Sequence, residues 1–245
     1  MPSLRERSAG IHSTRQGKTM NVKEAYGKWA GQYDTNNNRT RDMEAEALKR
    51  MLQGRRFGHC LEIGCGTGKN TPWLAAHAAR VTAVDFSGEM LALAKEKVVA
   101  AHVDFILADI NQPWDFATGP YELLTFSLVL EHIRDLEAIF RQAAACTLPG
   151  GALYLGELHP FKQYSGSGAR FETEAGIQPV TCFTHHVSDF VTSAHAHGFR
   201  IRDLREFFDE DGPEAIPRIL ALVFEKTTNP HKENHHEQQH DSVKD

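Results

Sequence analysis

The chain has 245 residues, 41% of them hydrophobic and 24% charged, with a formal net charge of −5 at pH 7. That length fits one α/β domain with a sizeable core and short additions. The negative balance offers no global basic field for nucleic acid, and no apolar run approaches the length of a membrane span.

In chain order, Met1 to about residue 20 is polar and without periodicity, which reads as a flexible arm lacking the apolar segment of a secretory signal. A helix is predicted over 21–33, with Tyr26, Trp29, Ala30 and Tyr33 on one face at i, i+3, i+4 and i+7. Asp34 and Asn36–Asn38 separate it from a second helix over 40–53. Strands follow at 59–64, 80–85, 103–108, 121–127 and 151–158, with helices at 69–78, 88–99 and 133–146 between them. Pro149-Gly150-Gly151 marks a turn before the fifth strand, a helix is predicted at 187–197, and Gly198 ends it. Two last strands, 199–207 and 219–225, have no helix of ordinary length between them and should pair as a hairpin. From Thr227 the chain is rich in His, Glu, Gln, Lys and Asn, and reads as a disordered polar tail in which His231, His235, His236 and His240 offer metal capture as the alternative.

Strands alternating with helices imply a parallel sheet with right-handed crossovers. The fold expected is therefore α/β and Rossmann-like, with a seven-stranded, mostly parallel sheet, one antiparallel strand near the C-terminus and helices on both faces. Residues 21–226 form its domain, with 21–53 as a helical lid and 160–186 as a cap. Cys60, Cys65, Cys146 and Cys182 lack C-x-x-C spacing and read as free thiols in a reducing, cytoplasmic setting rather than as a disulfide or zinc framework.

The chemistry concentrates in Leu61-Glu62-Ile63-Gly64-Cys65-Gly66-Thr67-Gly68-Lys69-Asn70-Thr71. Glycines at a strand-to-helix turn let a ligand approach the backbone, and Asp85 at the tip of the next strand can bind a ribose diol. The dinucleotide pattern G-x-G-x-x-G fails because Lys69 stands where its third glycine would be. The phosphate loop G-x-x-x-x-G-K-[ST] fails too, since Gly64 to Gly68 is too short and Asn70 follows Lys69. The run instead resembles motif I of the class I S-adenosylmethionine-dependent methyltransferases, in their small-molecule, type 11-like branch, with Glu62 in the usual acidic position.

That resemblance implies S-adenosyl-L-methionine as cofactor and a site beyond the carboxyl ends of the strands. Gly64, Cys65, Gly66 and Gly68 would face its methionine and ribose parts, Asp85 both ribose hydroxyls, and Phe86 and Met90 the adenine ring. Asp109 and the Ile110 amide would meet the adenine edge, while Ser127 and Leu128 pass beneath the methionine part. Ser87 is read as a helix cap. The 21–33 helix resembles the family lid Tyr-x-x-Trp-Ala-x-x-Tyr-Asp, so Tyr26 and Tyr33 would close over the cofactor, with Trp29 packing on the core.

Methyl transfer to a phenol, alcohol or amine needs a proton removed, and His159 and His132 at strand ends are the candidate bases. Glu157, Tyr164, Arg170, Phe171 and His185 are substrate candidates in a loop whose Gly166, Gly168 and Gly176 read as mobile. Lys162 and Arg170 could meet an anionic group or be solvated surface charge, and one of His185 and His186 is structural. The Asn-Pro-Pro-Tyr or Phe pattern of nucleic-acid and protein amino methyltransferases is absent. The reading is methyl transfer to a small molecule, at oxygen first and nitrogen or carbon next. No nucleic acid, membrane or metal is expected, and the chain would be a monomer or homodimer. Intramolecular cyclisation on the same cofactor, or a non-catalytic subunit, are the alternatives.

Overall fold

A computed structural model describes residues 38–168, 170–173, 176–209 and 215–228. The helix expected over 21–33, with Tyr26, Trp29, Ala30 and Tyr33, lies outside them, as does nearly all of the polar tail.

Helix α1 (Arg39–Met51) opens the described chain, and the Asn38 side chain caps it by accepting from the Arg41 amide at 3.0 Å. Strand β1 (Phe57–Ile63), α2 (Thr71–His77), β2 (Ala78–Asp85), α3 (Gly88–Lys97) and β3 (Val103–Leu107) follow. Next come β4 (Tyr121–Ser127), a 3-10 turn (Leu130–His132), α4 (Leu136–Cys146) and β5 (Thr147–Leu158). Helix α5 (Pro160–Tyr164), β6 (Arg170–Thr173), β7 (Gly176–Pro179), α6 (Val187–Ala196), β8 (Phe199–Phe207) and β9 (Ile219–Lys226) complete it.

Seven strands form one sheet in the order β3-β2-β1-β4-β5-β9-β8. The ladders from β3 to β5 are parallel; β9 runs antiparallel to both β5 and β8, so it is the single reversed strand. Period-two alternation sends neighbouring side chains to opposite faces. Leu61, Leu124, Phe126, Leu153, Leu155, Leu222 and Phe224 pack on one side with Ile139 and Phe140 of α4 and Phe190 of α6. Cys60, Val81, Leu123, Tyr154, Ala221 and Val223 pack on the other with Leu48 of α1, Leu74 of α2 and Leu91 of α3. With both faces covered, the strands read as nearly continuous apolar runs.

Three departures from expectation have a clear physical cause. Helix α4 begins at Leu136 rather than 133, because the Asp135 side chain takes the Ala138 amide at 3.0 Å and the three preceding residues form the 3-10 turn. Strand β5 runs back through Pro149-Gly150-Gly151 to Thr147, with Gly150 at φ 78° and a register shift against β4 absorbing the turn. The stretch expected to be a mobile loop instead holds α5 and the β6/β7 hairpin, paired from Arg170↔Pro179 to Thr173↔Gly176. The strands are only four residues each, too short for a periodicity to register.

Candidate functional site

The turn after β1 is fixed by its own backbone. The amides of Gly64 and Cys65 both donate to the Val84 carbonyl, at 2.8 and 3.0 Å, and the Gly68 amide donates to Cys65 O at 2.8 Å. All three glycines have positive φ: 70° at Gly64, 54° at Gly66 and 76° at Gly68. Their reasons differ. A Cβ on Gly64 would lie 2.2 Å from Val129 Cγ2, and one on Gly68 would lie 3.3 Å from Ala94 Cβ on α3. One on Gly66 would meet nothing within 4 Å among the described residues, so Gly66 leaves room for a ligand to approach the backbone.

Asp85 ends β2 beneath this opening. Its carboxylate accepts from the Gly66 amide at 2.8 Å and the Ser87 amide at 2.9 Å, with the Phe86 amide also contributing. Burial nevertheless raises its pKa. Ser87 takes the capping role expected of it: its hydroxyl accepts from the Met90 amide at 3.2 Å and starts α3. The Met90 side chain is fully buried, and Phe86 is half-buried. Beyond β3, Asp109 is exposed and accepts from Asn111 through both backbone and side chain at 2.9 Å. Ile110 is buried, and its carbonyl takes the Trp114 indole N–H at 3.0 Å.

After β4 the backbone turns at Leu128, the one non-glycine residue with positive φ among those described, at 57°. Its amide donates to Gly156 O at 2.8 Å. The next two amides, of Val129 and Leu130, both donate to Glu157 Oε1, at 2.9 and 2.8 Å. Glu157, expected at the substrate, thus holds the turn that passes under the site. Its other oxygen is buried without a hydrogen-bond partner, and burial with the nearby Glu131 charge raises its pKa to about 8.

A second polar network underlies the glycine turn. Asn70 Nδ2 donates to Glu44 Oε2 at 2.9 Å and to Ser127 Oγ at 3.2 Å, and the Tyr154 hydroxyl donates to Glu44 Oε1 at 3.1 Å. Glu62 accepts from Thr71 Oγ1 at 2.6 Å. Burial raises the Glu44 carboxyl to about 7 and the Glu62 carboxyl to about 8, the latter helped by the charges of Glu44 and Asp85. Glu44 and Asn70 escaped sequence reasoning. A signal existed for Glu44, which precedes Ala47, Leu48 and Met51 by three, four and seven residues and so lies in the buried stripe of α1.

The histidines separate by their partners. His159 Nδ1 accepts from the Phe161 amide at 3.1 Å, capping α5, and Nε2 donates to Glu206 Oε1 at 2.9 Å. Both ring nitrogens are engaged, so proton abstraction would require breaking a contact. His132 Nδ1 lies 3.0 Å from Thr181 O, which makes it the donor and puts the lone pair on Nε2, 3.9 Å from Glu131 Oε1. His185 is buried with Nε2 2.7 Å from Ile133 O, a structural contact. Exposed Tyr164 meets His186 Nδ1 at 2.5 Å. Arg170 and Phe171 lie on β6, where only the backbone is described.

The arrangement suits a ligand that carries a ribose and positive charge. Gly66 is open toward the described residues, the Asp85 carboxylate backs it, and the buried carboxyls of Glu44, Glu62, Asp85 and Glu157 lie nearby. A methyltransferase-domain family model matches residues 61–155, which contain the glycine turn, Asp85, Asp109 and β4. Over that segment the chain is similar to the S-adenosylmethionine-dependent methyltransferases. It is 27% identical over 221 residues to an uncharacterized methyltransferase of Emericella nidulans, covering 73% of this chain and 75% of that one. It is 30% identical over 137 residues to the ubiquinone biosynthesis O-methyltransferase of Xanthomonas oryzae pv. oryzae, covering 55% and 56%. The match therefore spans just over half the length of that relative. Among solved structures, a putative S-adenosylmethionine-dependent methyltransferase from Listeria monocytogenes superposes with a TM-score of 0.63 at 23% identity, covering 75% of this chain and 98% of that one. At that identity the likeness speaks for the methyltransferase fold alone.

Proposed function

We propose that this methyltransferase transfers the methyl group of S-adenosylmethionine to a small molecule, with oxygen as the acceptor atom. The observation that carries the reading is the Gly66–Asp85 pair: an open, positive-φ glycine whose amide is held by the carboxylate at the neighbouring strand tip. When bound, the cofactor supplies a sulfonium-activated methyl carbon. The chain's part is to bind, align and dehydrate. Gly64, Cys65, Gly66 and Gly68 present backbone to the methionine and ribose parts, Asp85 keeps lone pairs for the ribose diol, and Asp109 with the Ile110 amide takes the adenine edge. Glu44, Glu62 and Glu157 lie below the strand ends, where a cation is favoured over a neutral thioether.

Support for oxygen comes from the O-methyltransferase relative. A small acceptor fits the net charge of −5 and the lack of an Asn-Pro-Pro motif after β4. Among the described residues no helix is long and apolar enough to cross a membrane. Titration with S-adenosylmethionine followed by mass spectrometry against a panel of phenols, alcohols and carboxylic acids tests the reading. Formation of S-adenosylhomocysteine together with an acceptor gaining one methyl supports it. Methylthioadenosine without S-adenosylhomocysteine, or no binding at millimolar cofactor, sinks it.

A further inference from the structure

Glu131 and His132 follow β4, and Cys182 lies ahead of α6. The fold brings one donor atom of each within 4.8 Å of the others. The two stretches are tied together by the Phe183 amide, which donates to Glu131 O at 2.7 Å. The Glu131 side chain is 8% exposed, and its Oε2 is buried with no hydrogen-bond partner. A buried carboxylate oxygen left this way is costly unless something else meets it.

The imidazole is set for a metal rather than for a cysteine–histidine pair. His132 Nδ1 gives its proton to the Thr181 carbonyl, which leaves no lone pair there for the Cys182 thiol 3.9 Å away. A ring N–H bonded to a backbone carbonyl is the contact that orients a metal-bound histidine. The His132 Nε2 atom lies 3.9 Å from Glu131 Oε1, and the Glu131 carboxylate takes hydrogen bonds from the Cys182 thiol and from Gln163. Carboxylate, imidazole and thiol are the zinc ligand types, and in a tetrahedral site their donor atoms stand about 3.3–3.8 Å apart.

We propose that Glu131, His132 and Cys182 form a three-ligand site for a zinc-like divalent cation, with the fourth position left to water or substrate. Binding replaces the thiol S–H bond by a sulfur–metal bond, and the proton leaves to solvent. A hydroxyl on the open position would lose its proton more readily and become a better methyl acceptor. That consequence rests on the methyl-transfer reading; ion binding itself does not.

Full-length protein, reduced and stripped with chelator, is titrated with Co²⁺ and followed by absorbance. One equivalent should produce a sulfur-to-cobalt charge-transfer band that Zn²⁺ displaces and that Cys182→Ser abolishes. The stretch beyond Thr227 contains no cysteine, so its histidines cannot by themselves give this band. Glu131→Gln should retain the band while loosening the ion by about ten- to a hundred-fold or more. No band in the unaltered chain, or its persistence in Cys182→Ser, overturns the site. If circular dichroism shows Cys182→Ser unfolded, Glu131→Gln decides: an unchanged Co²⁺ affinity overturns it equally. No outcome depends on a methylation assay, so failure of the methyl-transfer reading stays distinguishable.

Discussion

The Gly66 amide and the Asp85 carboxylate are joined across 2.8 Å, so the residue that opens the ligand turn is held by the residue at the tip of the next strand. On the proposed reading, one carboxylate both shapes the turn and offers its remaining lone pairs to a diol. Asp85→Ala should weaken S-adenosylmethionine binding by about 1–3 kcal/mol, the scale for polar groups losing a charged partner. Calorimetric titration gives the number directly. An unchanged dissociation constant would place the ribose elsewhere.

The glycines of the same turn should respond differently to alanine. Gly64→Ala drives a methyl into Val129 Cγ2 and should cost stability by about 1–3 kcal/mol beyond the positive-φ strain, with Val129→Ala restoring part of it. Gly66→Ala meets no neighbour and should cost about 1 kcal/mol from its φ of 54°, yet lose cofactor affinity because the methyl enters the opening. Denaturant melts paired with titrations separate the two. Equal loss of stability at both positions would contradict the assignment of Gly66 to the ligand side.

His159 is built into the structure as a cap of α5 and a hydrogen-bond partner of Glu206. His159→Asn can keep the α5 cap and should change stability by about 1 kcal/mol or less, while leaving the pH profile of kcat in place. Loss of the acidic limb of that profile would instead make His159 the base.

Three buried carboxyls set a pH dependence of stability in the cofactor-free protein. Glu62 and Glu157 titrate near 8 and Glu44 near 7 in the fold, against an ordinary value of 4.5. The folded chain therefore binds more protons than the unfolded chain from about pH 5 to 8, and stability should fall as pH rises across that window. Thermal melts should show a declining Tm, and Glu157→Gln should flatten the decline. A Tm that holds constant from pH 5 to 8 would show these groups ionised in the fold.

The strand ends were legible because their signals are local. Gly64-Cys65-Gly66-Thr67-Gly68 follows an apolar run, and Asp85 and Asp109 close two others, so the reacting edge of the sheet could be placed from spacing. The reversed strand was legible for the same reason, since too little chain separates Phe207 from Ile219 for a crossover helix. The partners were not. Glu44 meets Tyr154 across 110 residues, and Glu131 meets Cys182 from the far side of β5, contacts that leave no periodicity in either neighbourhood. His159 shows the opposite failure. Its place just after β5 was legible, but the ring is buried and its two nitrogens are engaged by Phe161 and Glu206, which spacing cannot reveal.

Strand β9 has a consequence for how the molecule is assembled. It lies between β5 and β8, pairing with both, although its residues 219–226 come last among the nine strands. During synthesis β5 waits with one backbone edge unpaired until β9 leaves the ribosome, and an unpaired apolar edge is a template for association with another chain. Folding of the sheet thus finishes one strand in from its edge, by insertion between β5 and β8, and the slowest step should be the long-range closure that seats Leu220, Leu222 and Phe224.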